Sequence, residues 1–332
     1  MKKVFITDYF KDNKIEKKIF KNYAEVQSLN LVAKSKIPKI IEKANGLLVW
    51  HTQIDYRFLL KLKNCSTIVR YGVGCDNIDL KTARKLNIDC ANTPDYGVDE
   101  VAETASAMIL LLTRKILQLN NNSKKYQKGW QENVLYENKI NPIRRLSDYK
   151  LGIIGLGRIG SLLALKMKNF NMQVGFYDPY VKSGHDKIIG IKKFRSIKNL
   201  VSECDIVSIN CVLTSETKNL VNSKFINSMK PGSILINTAR GKILEDVDHI
   251  YNGLIKGNLS GVGLDVLPEE PPNKKSKLIK LWKNNKHKLS SNIIINPHAG
   301  YYSSRSVVEM REKASENLLR ALKDGYIENL VN

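Results

Sequence analysis

The sequence has no long hydrophobic run, few cysteines and comparatively few acidic residues. The longest apolar candidate for a membrane span, Ala105 to Leu112, is far shorter than the roughly 20 residues that cross a bilayer. Asp8 interrupts the only N-terminal stretch that resembles a secretory signal. The five cysteines form no CxxC pair, so neither a disulfide framework nor a zinc site is indicated. These absences predict a cytoplasmic protein with no membrane contact and no bound metal.

The shortage of acid leaves a strongly basic chain. Asp and Glu number 32 against 54 Lys and Arg, a net charge of +22. Such a charge is found in nucleic-acid-binding proteins, but no zinc-finger spacing, RNP-like segment or recognition helix accompanies it. We therefore expect no nucleic-acid partner. The segment 273–288 carries seven lysines and no acid; it is interpreted as a solvated surface, with a polyanionic partner as the alternative.

Short apolar runs alternate with helical patterns along the first hundred of the 332 residues. The predicted strands of this part are Val4–Thr7, Leu29–Ala33, Gly46–Trp50, Thr67–Tyr71 and Ile88–Ala91. Repeated strand–helix alternation is typical of right-handed βαβ units around a parallel sheet. The N-terminal part of the chain is therefore predicted to form one α/β domain.

A second strand–helix series begins at Lys150, after one long predicted helix over Glu100–Leu119. Its predicted strands are Leu151–Ile154, Gln173–Tyr177, Ile206–Cys211, Ser233–Asn237, Gly261–Asp265 and Ile293–Asn296. Six strands with intervening helices predict a doubly wound parallel sheet. A final amphipathic helix, Ser304–Lys323, is expected to return to the first domain.

A dinucleotide-binding motif opens this second series. Gly155, Gly157 and Gly160, with Arg158 and Ile159 between them, match GxGxxG directly after a predicted strand and before a helix. The glycines permit a tight turn, backbone approach to a pyrophosphate and close helix packing, while the helix N-terminus attracts phosphate. Asp178 ends the next strand, where it can accept hydrogen bonds from a ribose and repel a 2′-phosphate. The sequence therefore predicts NAD rather than NADP.

Three further segments follow strand ends of the same domain: NTARG with Arg240, LDVLPEEP with Glu269 and Glu270, and NPHAG with His298. The carboxyl ends of parallel strands meet at one edge, so Arg, Glu and His are expected to converge there. Together with GLGRIG and YDP, these segments resemble the D-isomer-specific 2-hydroxyacid dehydrogenases. The segments VRYGVGCDNIDLKTA and HAGYYSSRSVVEMREKA are closest to the branch of phosphoglycerate dehydrogenase-like enzymes and C-terminal-binding proteins.

The resemblance implies an α/β fold of two doubly wound parallel-sheet domains, a Rossmann NAD-binding domain and a flavodoxin-like substrate domain. The substrate domain is expected over residues 1–101 with 301–332, and the NAD-binding domain over 102–300. A dimer arm is expected near 120–148, where Trp130 lies, so the chain is expected to form a homodimer. The implied activity interconverts a small 2-oxo acid and an (R)-2-hydroxy acid by hydride transfer to or from NAD.

The resemblance also implies residue roles. Arg240 would hold the substrate carboxylate and carbonyl oxygen, His298 would act as general acid and base, and Glu270 would pair with His298, although the adjacent Glu269 is an alternative. Further implied cofactor contacts are Thr238, Ala239, Asp265 and Cys211; for Cys211 a plain buried thiol is an equal alternative. Implied substrate contacts are Arg70, Val73, Gly74 and Tyr301.

Two function classes remain open at this point. The first is the NAD-dependent enzyme, acting on a substrate of the glyoxylate, hydroxypyruvate or phosphoglycerate type. The alternative is an NAD(H)-sensing dimeric scaffold of the C-terminal-binding-protein type. Arg240, Glu270 and His298 do not separate the two, because that branch retains all three.

Overall fold

The computed structural model describes residues 1–8, 10, 12–31, 36–124 and 143–332. The described chain divides into two compact units, residues 1–97 with 302–332 and residues 98–301. The sequence analysis placed the two domain boundaries between residues 101 and 102 and between residues 300 and 301. Most of the predicted dimer arm, with Trp130, lies outside the described residues. In the described part, no helix is both long and apolar enough to cross a membrane, and no cluster of three or more His, Cys, Asp or Glu could hold a metal ion.

The first unit is built on a five-stranded parallel sheet of order β2-β1-β3-β4-β5, the order of flavodoxin-like folds. Its elements are β1 (Lys2–Ile6), α1 (Lys14–Phe20), β2 (Ala24–Ser28), β3 (Gly46–Val49), α2 (Tyr56–Leu59), β4 (Thr67–Arg70), α3 (Leu80–Lys85) and β5 (Asp89–Ala91). A short 3-10 helix, Lys39–Lys43, precedes β3. Four of the five predicted strands are thereby confirmed, with small changes at their ends.

The prediction of a strand over Leu29–Ala33 is wrong for residues 29–31, while Val32 and Ala33 lie outside the described residues. The second strand is instead β2, whose residues alternate between buried and exposed positions. The alternation arises because successive side chains of a strand point to opposite faces of the sheet, and only one face of this edge strand is covered. Leu29 and Leu31 are buried in the segment that follows. Their N–H groups donate to the carbonyls of Ile6 and Thr7, so this segment continues beside β1 although it is not a strand.

The second unit has a seven-stranded parallel sheet of order β12-β11-β10-β9-β6-β7-β8 in its described part. Its strands are β6 (Lys150–Ile154), β7 (Gln173–Tyr177), β8 (Lys192–Lys193), β9 (Ile206–Ile209), β10 (Ser233–Asn237), β11 (Leu259–Leu264) and β12 (Ile293–Ile295). The chain passes from β6 to β7 on one side and later returns to β9 on the other. This reversal of strand order is where doubly wound sheets bind ligands.

Helices cover both faces of this sheet. They are α4 (Val98–Thr113), α5 (Ile116–Ser123), α6 (Arg158–Asn169), α7 (His185–Ile189), α8 (Ile197–Glu203), α9 (Ser223–Ser228), α10 (Val247–Lys256) and α11 (Lys277–Lys283). Residues of α4 and α6 form one buried cluster with the sheet, and residues of α8 to α11 form another. Burial on both faces explains why the strands read as continuous apolar runs. The chain ends with α12 (Ser304–Asp324), in the first unit.

The single helix predicted over Glu100–Leu119 is wrong, because the chain breaks between α4 and α5. The Thr113 hydroxyl donates to the Ile109 carbonyl at 2.7 Å, a contact that bends helices. Lys115 then adopts a left-handed conformation with φ of 51°. Apolar periodicity continues across the break, so the pattern alone did not reveal it. The two-residue strand β8 was also missed, since its two lysines give no apolar signal.

Candidate active site

The glycine motif forms a tight turn between β6 and α6. Gly155 has φ of +93°, which favours glycine, and a Cβ there would lie 2.5 Å from the Cys211 backbone nitrogen. A Cβ on Gly160 would clash with the Gly155 carbonyl, so this glycine lets the helix pack on the turn. Beside Gly157, no described heavy atom lies within 4 Å of a Cβ position. The turn therefore keeps open the space where a pyrophosphate would approach the helix N-terminus, with Arg158 exposed beside it.

Asp178 follows β7 and touches this turn. One carboxylate oxygen accepts from the Leu156 N–H at 2.9 Å, and the other accepts from the Tyr180 N–H at 2.9 Å. Each oxygen can accept further bonds, so a ribose remains a compatible partner. A cleft of about 400 Å³ adjoins the carboxylate and is lined in part by Lys193 and Arg195. Two cations that the sequence reasoning missed thus lie beside the acid predicted to exclude a 2′-phosphate.

Two buried polar atoms mark the ends of the neighbouring strands β9 and β10. Asn210 Nδ2 and Thr238 Oγ1 are both buried, and neither has a hydrogen-bond partner among the described residues. Buried polar groups are rarely left unpaired. Their position at the carboxyl edge of the sheet, next to the glycine turn, fits a polar ligand such as a dinucleotide. Cys211 also lies here, and burial raises the pKa of its thiol to about 11, which keeps it protonated.

His298 and Glu270 are brought together on the loops after β12 and β11. His298 Nδ1 lies 2.9 Å from Glu270 Oε2, while Glu270 Oε1 accepts from the Leu267 N–H at 2.9 Å. Both side chains keep 40% of their surface exposed. Burial of Glu270 opposes ionisation, but the hydrogen bonds from His298 and Leu267 outweigh it and hold the pKa of Glu270 below its ordinary value. The geometry thus pairs His298 with Glu270, the choice that sequence left open.

Arg240 reaches the same place from the loop after β10. Its Nη1 donates to the Ala239 carbonyl at 2.8 Å, and its positive charge contributes to lowering the pKa of Glu270. The buried Asn237 shapes this loop, because its side chain accepts from the Ala239 N–H and donates to the Arg240 carbonyl. Asn237 is a positioning residue that sequence reasoning did not single out, although its place at the strand end was visible.

Asp265 anchors the histidine loop. Its buried carboxylate accepts from the N–H groups of Ala299 and Gly300, at 2.9–3.0 Å, and its carbonyl accepts from the His298 N–H at 2.8 Å. Burial raises the pKa of Asp265, and the N–H donors only partly offset this. His298 itself has φ of 55°, a left-handed conformation that is uncommon for non-glycine residues. The half-buried Tyr301 directly follows this loop.

In the first unit, the predicted substrate residues lie on the loop after β4. Thr93 holds this loop by donating to the Arg70 carbonyl, and Asn92 holds it by donating to the Val73 carbonyl. The N–H groups of Val73 and Gly74 have no protein acceptor among the described residues. Neighbouring free N–H groups suit a carboxylate. The structure therefore shows that Asn92 and Thr93 hold the loop after β4 in place, a role that the sequence did not reveal.

A family model for the NAD binding domain of the D-isomer specific 2-hydroxyacid dehydrogenases matches residues 106–300. The chain belongs to this family. It is 31% identical over 342 residues to a glyoxylate reductase of Thermococcus litoralis, an alignment that covers 99% of this chain and 96% of the relative. The second unit is accordingly the nicotinamide-cofactor-binding domain of a 2-hydroxyacid dehydrogenase. The branch within the family stays a prediction.

Solved structures share the whole fold. A D-lactate dehydrogenase from Aquifex aeolicus, complexed with NAD and lactic acid, matches with a TM-score of 0.81 and 29% identity, covering 99% of this chain and 98% of that one. An NADPH-dependent glyoxylate/hydroxypyruvate reductase from Sinorhizobium meliloti, in complex with NADP and malonate, matches with a TM-score of 0.83. At 21% identity, with coverage of 99% and 96%, this second likeness shows the fold alone. The predicted fold class is confirmed.

Proposed function

We propose that this protein is an NAD-dependent oxidoreductase that interconverts a 2-oxo acid and an (R)-2-hydroxy acid. The observation that carries the proposal is the 2.9 Å contact between His298 Nδ1 and Glu270 Oε2, with the charge of Arg240 acting on the same carboxylate. This arrangement lies at the carboxyl edge of the cofactor-binding sheet. It joins a proton donor, its orienting carboxylate and a fixed positive charge.

The roles follow from the chemistry of each group. Glu270 holds Nδ1 of His298, which leaves Nε2 to deliver a proton to the substrate carbonyl oxygen during reduction and to remove it during oxidation. Arg240 binds the substrate carboxylate and carbonyl oxygen and stabilises the negative charge that develops there. The nicotinamide, when bound, supplies the hydride that adds to the carbonyl carbon. The substrate carbonyl group thus gains one hydride and one proton.

The two units divide the binding work. We assign residues 98–301 to the cofactor, with contacts from the glycine turn, Arg158, Ile159, Asp178, Cys211, Thr238, Ala239 and the loop of Asp265. We assign the first unit to the substrate, whose carboxylate would accept from the N–H groups of Val73 and Gly74. Arg70 and Tyr301 would line the substrate as well. The open N–H groups of the first unit and the orphaned Thr238 hydroxyl support this division.

The substrate class is tested by a panel of 2-oxo acids. Purified protein is mixed with NADH and glyoxylate, hydroxypyruvate, 3-phosphohydroxypyruvate or pyruvate, and nicotinamide absorbance is followed. We expect oxidation of NADH with at least one small 2-oxo acid; the glyoxylate reductase relative makes glyoxylate the first choice. If the protein bound NADH but reduced none of the 2-oxo acids in the panel, the proposed enzymatic activity would be contradicted and the nucleotide-sensing scaffold favoured.

Cofactor preference rests on Asp178, and Asp178→Ala should relax it. The carboxylate repels a 2′-phosphate, whereas Lys193 and Arg195 in the adjoining cleft would attract one once the carboxylate is gone. We expect the wild type to prefer NADH and the variant to show a larger NADPH-to-NADH ratio of kcat/KM. Asp178→Asn keeps an oxygen that can accept from the Leu156 N–H but removes the charge. It therefore distinguishes repulsion of the 2′-phosphate from loss of the hydrogen bond to Leu156. A wild type that prefers NADPH would contradict the assignment.

Glu270→Gln should shift the pH profile of reduction. Since the pKa of Glu270 is lowered, its carboxylate is ionised throughout the neutral range. The charged carboxylate orients the His298 ring through Nδ1, and the neutral Gln provides a weaker partner, so kcat/KM should fall in the variant. Wild-type activity should also decrease as the pH falls through the lowered pKa of Glu270, a loss that the variant should not show. Glu269→Gln, at the exposed neighbouring position, is the control. If the pH profile shifted in Glu269→Gln alone, the assignment of Glu270 as the partner of His298 would be wrong.

The assembly is proposed to be a homodimer built through the cofactor domain. The proposal rests on the long polar segment 120–145 in the sequence, with Trp130, and on the family resemblance. Light scattering of the purified chain at micromolar concentration should give twice the mass of one chain. A monomeric mass at that concentration would contradict the proposal.

A further inference from the structure

A buried ion pair joins the first and last helices of the first unit. Glu16 on α1 is completely buried, and Arg311 on α12 faces it with two donors. Nε of Arg311 lies 2.7 Å from Glu16 Oε1, and Nη2 lies 2.6 Å from Oε2. Arg311 also donates to the Asp12 carbonyl at 2.7 Å. Two parallel bonds between a guanidinium and a carboxylate fix the geometry of both groups, so the position of the Glu16 carboxylate is well defined.

Tyr71 is held by this ion pair. Its side chain is completely buried, and its hydroxyl donates to Glu16 Oε1 at 2.9 Å. Burial and the charge of Glu16 raise the pKa of Tyr71 well above its ordinary value, so the hydroxyl stays protonated and continues to donate. The Phe10 ring meets the Tyr71 ring edge-on at 5.3 Å and lies 4.5 Å from the Arg311 guanidinium. A charge-assisted hydrogen bond and aromatic packing thus fix the Tyr71 side chain together.

Tyr71 directly precedes the loop whose N–H groups are proposed to bind the substrate carboxylate. The N–H of Tyr71 donates to the Val49 carbonyl at 2.7 Å, and Val73 follows two residues later. Gly72, between them, has φ of +127°, a region in which glycine is conformationally permissive. Beyond Gly72, the side chain of Asn92 holds the Val73 carbonyl at 2.7 Å. The direction of the Val73 N–H therefore depends on what holds the chain on each side of Gly72, and Tyr71 holds one side.

We propose that Tyr71 is a positioning residue for substrate binding, and that Glu16 and Arg311 hold it in place. The inference rests on the proposed function, because it requires a substrate carboxylate at the N–H groups of Val73 and Gly74. Tyr71 itself does not contact the substrate in this assignment, since its side chain has no exposed surface. The residues assigned to proton transfer belong to the second unit. Loss of the Tyr71 hydroxyl should therefore raise KM and leave kcat nearly unchanged.

Tyr71→Phe tests the assignment because it removes the hydroxyl and keeps the ring. We expect KM for the best 2-oxo acid of the panel to rise about threefold to tenfold, the range that loss of one hydrogen bond produces, with kcat and the Kd of NADH near their wild-type values. Tyr23→Phe is the matched control. The Tyr23 hydroxyl also donates to α12, at the Leu322 carbonyl, but Tyr23 precedes β2 at the opposite edge of the sheet from the substrate loop. It should leave KM unchanged, even where both variants lower Tm.

Hydrogen exchange of the peptide covering residues 69–75 provides a measurement that does not depend on activity. The N–H groups of Tyr71 and Gly72 are bonded to the carbonyls of Val49 and Arg70, and they should exchange faster in Tyr71→Phe than in the wild type or in Tyr23→Phe. If Tyr71→Phe folds poorly, Arg311→Lys decides the outcome. Lysine keeps the charge opposite Glu16 but lacks the planar fork, so this variant should also raise KM and speed the exchange.

The outcomes separate the positioning role from the proposed function. An active, folded Tyr71→Phe with wild-type KM or wild-type exchange would overturn the positioning role, because the buried pair would then serve stability alone. An equal rise of KM in Tyr23→Phe would overturn it as well, since the effect would not depend on the substrate loop. A wild type that reduces no 2-oxo acid would contradict the proposed function, and the positioning role with it.

Discussion

Replacement of His298 by alanine is expected to lower kcat for 2-oxo acid reduction by about 10²–10⁴-fold, the usual contribution of a positioned general acid. The expectation follows from the geometry of the pair: Glu270 holds Nδ1 at 2.9 Å, and the bond from the His298 N–H to the Asp265 carbonyl holds the loop that carries the ring. Proton delivery matters in the transition state rather than in substrate binding. KM should therefore change much less than kcat.

The measurement is steady-state reduction of the best 2-oxo acid from the panel, with NADH binding followed separately by fluorescence. His249→Ala is the matched control, because His249 also pairs with a glutamate, Glu245, at 3.0 Å, but does so on α10. It should leave kcat near the wild-type value. If His298→Ala retains wild-type kcat while binding NADH, His298 is not the proton donor and the proposed mechanism fails.

The nucleotide-binding turn was predictable because its requirements are local. Gly155 needs a positive φ, Gly160 must let the helix approach the turn, and both demands fall within six residues of sequence. Six of the seven described strands of the second unit were equally predictable, since burial on both faces leaves a continuous apolar run. The edge strand β2 was missed for the converse reason, because half of its residues face water.

The sequence could not show which side chains pair with residues that are distant along the chain. Glu269 and Glu270 are adjacent and chemically alike, and only the path of the loop after β11 decides which carboxylate reaches His298, 28 residues further along. The anchoring of the histidine loop by Asp265 spans a similar distance and uses backbone N–H groups, which leave no mark in residue types. The sequence thus indicated which loops carry Glu270 and His298, whereas the coordinates were needed to show which side chains pair.

Arg240→Ala is expected to damage both substrate binding and catalysis. Its guanidinium is fixed by the bond to the Ala239 carbonyl, and its loop is shaped by the buried Asn237. In the proposed mechanism, a group held in this way would bind the substrate carboxylate in the ground state and stabilise charge on the carbonyl oxygen in the transition state. Loss of a comparable preorganised donor lowers kcat by about 10²–10³-fold, and KM should rise as well.

Steady-state kinetics of Arg240→Ala, Arg240→Lys and the exposed control Lys242→Ala separate these two contributions. Lysine keeps the charge but lacks the planar fork, so Arg240→Lys should recover part of kcat and less of KM. Lys242→Ala should behave as the wild type does. A rise in KM with unchanged kcat would mean that Arg240 binds ground state and transition state equally. Arg240 would then contribute to substrate binding and not to the chemical step.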